Sequence, residues 1–101
     1  MLNTGVSDFE KNDDKDEIII SNLDYIVMNF IDNDQEIKLQ VDKIAIYKDS
    51  IYLYKQNLLI SVLAIKNSFV TKLYNKDKYQ YLISFEIKDK LNCIYAFKKV
   101  N

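Results

Sequence analysis

The chain has 101 residues and a formal net charge of −1, with 49% hydrophobic residues, one Gly, one Cys and no Pro, His or Trp. This length fits a single domain, in which folding buries roughly two-thirds of the surface that the unfolded chain exposes. The absence of histidine excludes His-dependent triads and the commonest zinc ligand. Phosphate-binding loops need glycines, and the one glycine is Gly5, outside the region expected to fold.

The charge also argues against nucleic-acid binding. All 14 basic residues are lysine, whereas base and phosphate recognition favours arginine and a strongly basic face. An AT-rich genome is the better explanation of the missing arginines, because its codons favour Lys, Ile, Asn and Tyr. The inference against nucleic acid therefore rests mainly on the net charge.

The sequence favours a cytoplasmic protein without a membrane span. No segment reaches the roughly 18 apolar residues that a bilayer requires. The N-terminal sequence MLNTGVSDFEKNDDKDE lacks the basic and apolar regions of a signal peptide. The single Cys93 fits a reducing compartment, and its place in a predicted strand favours a packed, inert thiol.

Two regions are predicted along the chain. Residues 1–17 are polar and acidic and predict a flexible tail, followed by one β-rich domain over residues 18–101. Because Gly and Pro are scarce, the turns must be built from Asn, Asp, Ser and Lys. Among these, Asn and Asp tolerate the left-handed region and can bond to their own backbone. The candidate turns are Asp32–Gln35, Lys48–Ser50, Lys55–Asn57, Asn75–Lys78 and Lys88–Lys90.

The first predicted elements are a segment that fits either a helix or a strand, and then a strand. In segment 22–31 the apolar residues have the spacing of an amphipathic helix, which we prefer, although the alternation of residues 25–31 also fits a strand. Ile37, Leu39 and Val41 then alternate with polar residues as in a strand. The apolar phase shifts by one before Ile44, which predicts a bulge or sharp bend at Asp42–Lys43.

Two hairpins and a second ambiguous segment follow. The first hairpin places Ile44 and Ile46 before the turn at residues 48–50 and Ile51–Tyr54 after it. Segment 58–74 fits either one helix or two short strands broken at residues 66–68. The last hairpin has period-two alternation over residues 79–88 and again over residues 91–97. The predicted fold is β-rich, mainly β or α+β, with antiparallel hairpins in a small sheet or partly open barrel and one or two short helices.

The acidic residues do not form a recognisable metal site. Two segments have the ligand spacing of the start of a calcium-binding EF-hand loop, but both lack its Gly and its final Glu. These segments begin with Asn12, Asp14 and Asp16, and with Asp32, Asp34 and Glu36. We therefore expect no metal, no cofactor and no catalytic residue. A small enzyme using Asp, Glu, Lys or Tyr is the least favoured class, and Lys66, inside an apolar stretch, is its nearest candidate nucleophile.

The eight tyrosines give the strongest functional signal. Tyrosine is a favoured contact residue at protein interfaces. Tyr52 and Tyr54 alternate with Ile51 and Leu53, so both faces of that strand are apolar. Either both faces are covered inside the domain, or one contacts a partner, which includes a second copy in a homodimer. The predicted partner-binding residues, which cluster around the two hairpins, are Tyr47, Tyr52, Tyr54, Tyr79 and Tyr81.

Residues 44–97 resemble the strand succession of PH-like domains, including GRAM-type and small bacterial forms. The resemblance rests on IAIYKDSIYLYKQNLLISVLAIKNSFV and YQYLISFEIKDKLNCIYAF, a hairpin, an apolar strand and a final hairpin ending in Tyr-x-Phe. It implies a protein-binding scaffold, since the basic loop by which some members bind phosphoinositides is missing. The chain departs from the family after residue 97, where such domains have a closing helix, and segment 22–31 is its only substitute.

These observations predict a non-enzymatic protein–protein interaction module. The alternative is a small inhibitor from a phage or mobile element that binds and blocks a host defence protein, in the manner of an anti-CRISPR. Short length, AT-rich composition, missing catalytic residues and an acidic tail are compatible with this alternative.

Overall fold

A computed structural model describes residues 9–12, 17–30, 34–75 and 78–99. All of their regular secondary structure is β-strand. The ten strands are β1 (Phe9–Asn12), β2 (Glu17–Ile20), β3 (Tyr25–Phe30), β4 (Gln35–Leu39), β5 (Lys43–Ile46), β6 (Ser50–Lys55), β7 (Leu58–Ala64), β8 (Lys66–Asn75), β9 (Lys78–Ile87) and β10 (Lys90–Lys99). The described residues include no helix that is long and apolar enough to cross a bilayer.

The strands form two antiparallel sheets of five strands each. We call the sheet with the order β1-β2-β5-β6-β7 sheet A and the sheet with the order β4-β3-β10-β9-β8 sheet B. Neighbouring strands within each sheet pair antiparallel. The chain passes from one sheet to the other three times, between β2 and β3, between β4 and β5, and between β7 and β8.

One apolar core lies between the sheets. Sheet A contributes alternate residues such as Ile44, Ile51 and Leu53, and sheet B contributes residues such as Ile83 and Phe85, all fully buried. Period-two alternation explains this arrangement, because every second side chain of a strand points to the same face. The β-rich prediction is confirmed. The predicted short helices and partly open barrel are not found in the described residues, which form two separate sheets.

Segment 22–31 is the clearest departure from the sequence prediction. The helix preferred for it is wrong, because residues 25–30 form β3 in the interior of sheet B, where Met28 lies opposite Ile37 on one side and Ile94 on the other. Asn22 has φ of 59°, which is incompatible with a right-handed helix start. The segment that was to substitute for the closing helix of PH-like domains is therefore a strand.

Two other predicted irregularities are passages between the sheets. The phase shift before Ile44 is a sharp bend and not a bulge, because residues 40–42 connect β4 in sheet B to β5 in sheet A. Segment 58–74 takes its two-strand alternative, with β7 and β8 in different sheets. The break lies at the buried Ile65, whose N–H donates to the carbonyl of Asp49 at 3.0 Å. Part of the predicted tail is also a strand, since β1 pairs with β2.

Two of the predicted glycine-free turns have positive φ at both central residues. Gln56 and Asn57 have φ of 52° and 66°, and Lys88 and Asp89 have φ of 52° and 64°. This geometry is the signature of the type I′ turn, whose twist matches that of two-residue hairpins. Gln and Lys are poor residues for this region of backbone space, so the hairpins form despite a local cost.

Phe85 and Phe69 allow a matched test of the core. The ring of Phe85 is fully buried, whereas that of Phe69 on β8 is 70% exposed. We expect Phe85→Ala to lower the free energy of unfolding by about 3–5 kcal/mol, and Phe69→Ala to change it by no more than about 0.5 kcal/mol. Urea denaturation measures both values, and equal losses would contradict the placement of the core.

The turn at Lys88 provides a second test. Lys88→Gly removes the steric cost of a left-handed lysine, so we expect the free energy of unfolding to rise by up to about 1 kcal/mol. The control Lys90→Gly lies in strand β10 and should lower it by about 0.5–1 kcal/mol. Thermal or urea denaturation distinguishes the two, and destabilisation by Lys88→Gly would be inconsistent with the turn geometry.

Candidate functional site

The outer face of sheet A carries three of the five predicted partner-binding tyrosines. Because Ile51 and Leu53 point into the core, the alternating Tyr52 and Tyr54 of β6 point outward, where both are half-buried. Ala45 lies opposite Tyr52 and shares its outer face. Tyr47 directly follows β5, two residues after Ala45, so the alternation places it on the same face. The sequence pattern therefore places these three rings on one surface, which we call the tyrosine face.

Contacts between side chains hold the rings of the tyrosine face. Tyr47 and Tyr52 meet edge to face, with ring centroids 5.1 Å apart and planes at 74°. The Lys43 ammonium lies 4.4 Å from the centroid of the Tyr54 ring, a favourable cation–π contact. Ala45 is buried although it is not part of the core between the sheets, because Ile19 and Tyr52 flank it on the outer face.

The hydroxyl of Tyr47 is held in its protonated form. It donates a hydrogen bond to the Glu17 carboxylate, and this bond, assisted by burial and by the negative charge of Glu17, raises the pKa of Tyr47 to about 12. A general acid or base works best with a pKa near the operating pH. The pair is therefore suited to fixing the ring and not to transferring protons at neutral pH.

Strand β7 extends the tyrosine face to the edge of sheet A. Leu59 lies opposite Tyr54, and Val62 lies opposite Tyr52. Four large apolar side chains of this strand are 48–69% exposed, namely Leu58, Leu59, Ile60 and Val62. Sequence reasoning did not assign β7 to the site, although the uninterrupted run LLISVLA was the available signal.

The remaining two predicted tyrosines do not belong to this surface. Tyr81 is completely buried in the core of sheet B beside Ile83 and Phe85, so its side chain is not available to a partner. Its phase within β9 explains this placement, since Tyr81, Ile83 and Phe85 share one face of the strand. The side chain of Tyr79 lies outside the described part of the structure.

The outer face of sheet B carries a second aromatic group that the sequence analysis missed. Tyr25 and Phe97 stack with centroids 4.7 Å apart and planes at 23°. The Lys38 ammonium lies 4.3 Å from the centroid of the Tyr25 ring. Val27 and Tyr95 lie opposite each other beside this stack and are both half-buried. These side chains cover one another, whereas Phe69 and Leu91 on the same face are 70% and 55% exposed.

An open groove of about 740 Å³ lies at one end of the two sheets. Its lining includes Tyr47, Lys48, Asp49 and Lys66 beside the apolar Ile18 and Ile65. Lys66 is exposed and lacks the desolvated position that a nucleophilic lysine needs. Among the described residues, no cluster of three acidic or Cys side chains could hold a metal ion.

Cys93 lies on the outer face of sheet B between Asn29 of β3 and Ser84 of β9. Burial is the largest effect on its thiol and raises its pKa. The reactive form of cysteine is the thiolate. A raised pKa disfavours that form at neutral pH, in agreement with the inert thiol that the sequence suggested.

Comparison with known proteins gives no match to any protein-family model, curated protein or solved structure.

The contact between Tyr47 and Glu17 predicts a specific alkaline titration. Glu17→Gln removes the carboxylate, so the pKa of Tyr47 should fall from about 12 towards its ordinary value of 10.0. Because the pKa is raised in the folded state, the stabilisation is complete below pH 10 and is lost as the pH rises through 12. NMR titration of the tyrosine ring carbons measures the shift. An unchanged Tyr47 titration in Glu17→Gln would show that another group is responsible.

Proposed function

We propose that this protein is a non-enzymatic module that binds another protein through the tyrosine face and strand β7. The observation that carries the proposal is the continuity of Tyr52 and Tyr54 with Val62 and Leu59, the exposed β7 residues that lie opposite them on the outer side of sheet A. Contiguous exposed apolar surface marks interaction sites, and tyrosine is enriched among the residues that dominate binding energy.

The prior ordering of the rings supports binding at this face. Tyr47 is bonded to Glu17 and packs against Tyr52, while Tyr54 lies against the Lys43 ammonium. Fixing a flexible side chain on binding costs about 0.5–1.5 kcal/mol. Rings that are already held lose less freedom when a partner covers them.

Affinity capture from the source cell tests the proposal. The full chain should retain a partner, and Tyr52→Ala and Tyr54→Ala should each weaken its binding at least about tenfold, as expected for interface residues that contribute 1.4 kcal/mol or more. Tyr95→Ala on sheet B is the matched control, since Tyr95 is also a half-buried outer-face tyrosine.

Comparing partner capture by the sheet A variants and the sheet B variant shows which sheet binds the partner. A partner lost in Tyr95→Ala but retained in both sheet A variants would place binding on the other sheet and overturn the assignment. The identity of a partner that depends on Tyr52 and Tyr54 also tests the alternative of an inhibitor, because that alternative requires a host defence protein.

A further inference from the structure

Strand β7 has backbone groups that face away from the sheet. It is the last strand of sheet A, and no described strand pairs with its outer side. Ile65 N–H donates to the Asp49 carbonyl, and the register continues through Ile51 opposite Leu63. Because antiparallel strands bond through alternate residues, the N–H and C=O groups of Val62 and Ala64 point outward, towards the open edge.

The β7 edge differs in charge from the other edges of the molecule. Of the four edge strands that the structure describes, β1, β4 and β8 all contain charged residues, whereas β7 contains none. Charged residues are a common means by which proteins prevent an edge strand from pairing with another chain. The register shift leaves Ile60 as an extra residue of β7, so the regular part of the open edge is Ser61–Ala64.

We propose that β7 pairs antiparallel with β7 of a second copy of this chain, which joins two copies of sheet A into one continuous sheet. The inference rests on the proposed binding surface and names a partner for its edge. With a two-fold axis at Val62, the outward N–H of Val62 in each copy donates to the Val62 carbonyl of the other copy. Such a contact is self-complementary and closes as a dimer.

Charge favours the second copy as the occupant. Like charges directly opposite one another destabilise paired strands. Because β7 has no charged residue, two paired β7 strands place no like charges opposite one another. The net charge of −1 also produces little repulsion between whole copies. A two-fold axis perpendicular to the sheet keeps both outer faces on the same side. The tyrosine faces of the two copies then form one surface, available to a further partner.

Analytical ultracentrifugation of the purified full chain tests the dimer. Protein concentrations from about 1 μM to about 1 mM cover dissociation constants that differ by about 4 kcal/mol in binding free energy. We expect a concentration-dependent equilibrium between monomer and dimer. Val62→Lys opposes two ammonium groups at the axis and should raise the dissociation constant at least about tenfold. Ile37→Lys is the matched control, because Ile37 lies on the edge strand β4 at 41% exposure, and should leave it unchanged.

A second variant tests the backbone contact itself. The N–H of Val62 points away from β6, so Val62→Pro removes an outward donor without removing a bond of the β6–β7 pair. We expect this variant to remain folded by circular dichroism and to lose the dimer. In the unmodified chain, hydrogen exchange of the Val62 amide should slow as concentration rises.

Three results would overturn the proposal. They are a chain that stays monomeric at about 1 mM, a dimer that survives both Val62 variants, and a dimer that Ile37→Lys weakens equally. A monomeric chain that binds another protein only with Val62 intact would assign β7 to a foreign strand. Failure of the dimer leaves capture through Tyr52 and Tyr54 unaffected, whereas loss of that capture with an intact dimer would remove the proposed function.

Discussion

The packing of two sheets onto one core determines what every other part of the molecule presents. Ile44, Ile51 and Leu53 of sheet A, and Ile83 and Phe85 of sheet B, are fully buried between the layers. Because side chains alternate along a strand, burial of one set directs the intervening set outward. The apolar character of that second set is the unusual property of this chain, since it gives both sheets aromatic outer faces.

Much of the fold could be predicted from alternation, but the assignment failed where two periods fitted the same residues. The hairpins β5–β6 and β9–β10 are confirmed. Their apolar residues alternate with a period of two on both sides of a turn, a pattern that fits strands and not a helix. In segment 22–31, Val27 fits both the helical stripe and the alternation of a strand, and only pairing with β10 decides between them. The passage between sheets at residues 40–42 depends on contacts across the whole core, which local sequence does not contain.

The site shows the same limit in its choice of residues. Sequence reasoning left open whether the face of Tyr52 and Tyr54 is covered inside the domain or contacts a partner, and the structure places both residues half-buried on the outer face of sheet A. Sequence reasoning grouped Tyr81 with them because composition does not state which face of β9 is inside. Strand β7 was missed because LLISVLA is apolar at every position, so neither face could be identified before its edge position was known.

The outer surface of sheet A changes in character from β2 to β7, and the two proposals assign a different partner to each part. Towards β2 and β5, polar groups hold the rings, with Glu17 on Tyr47 and the Lys43 ammonium on Tyr54. Towards β7, the side chains are aliphatic and the backbone groups of Val62 face outward. An ordered aromatic face suits a partner that needs shape complementarity, because little side-chain entropy is lost. An uncharged edge suits a partner that supplies a strand, and pairing at that edge doubles the aromatic area without covering it.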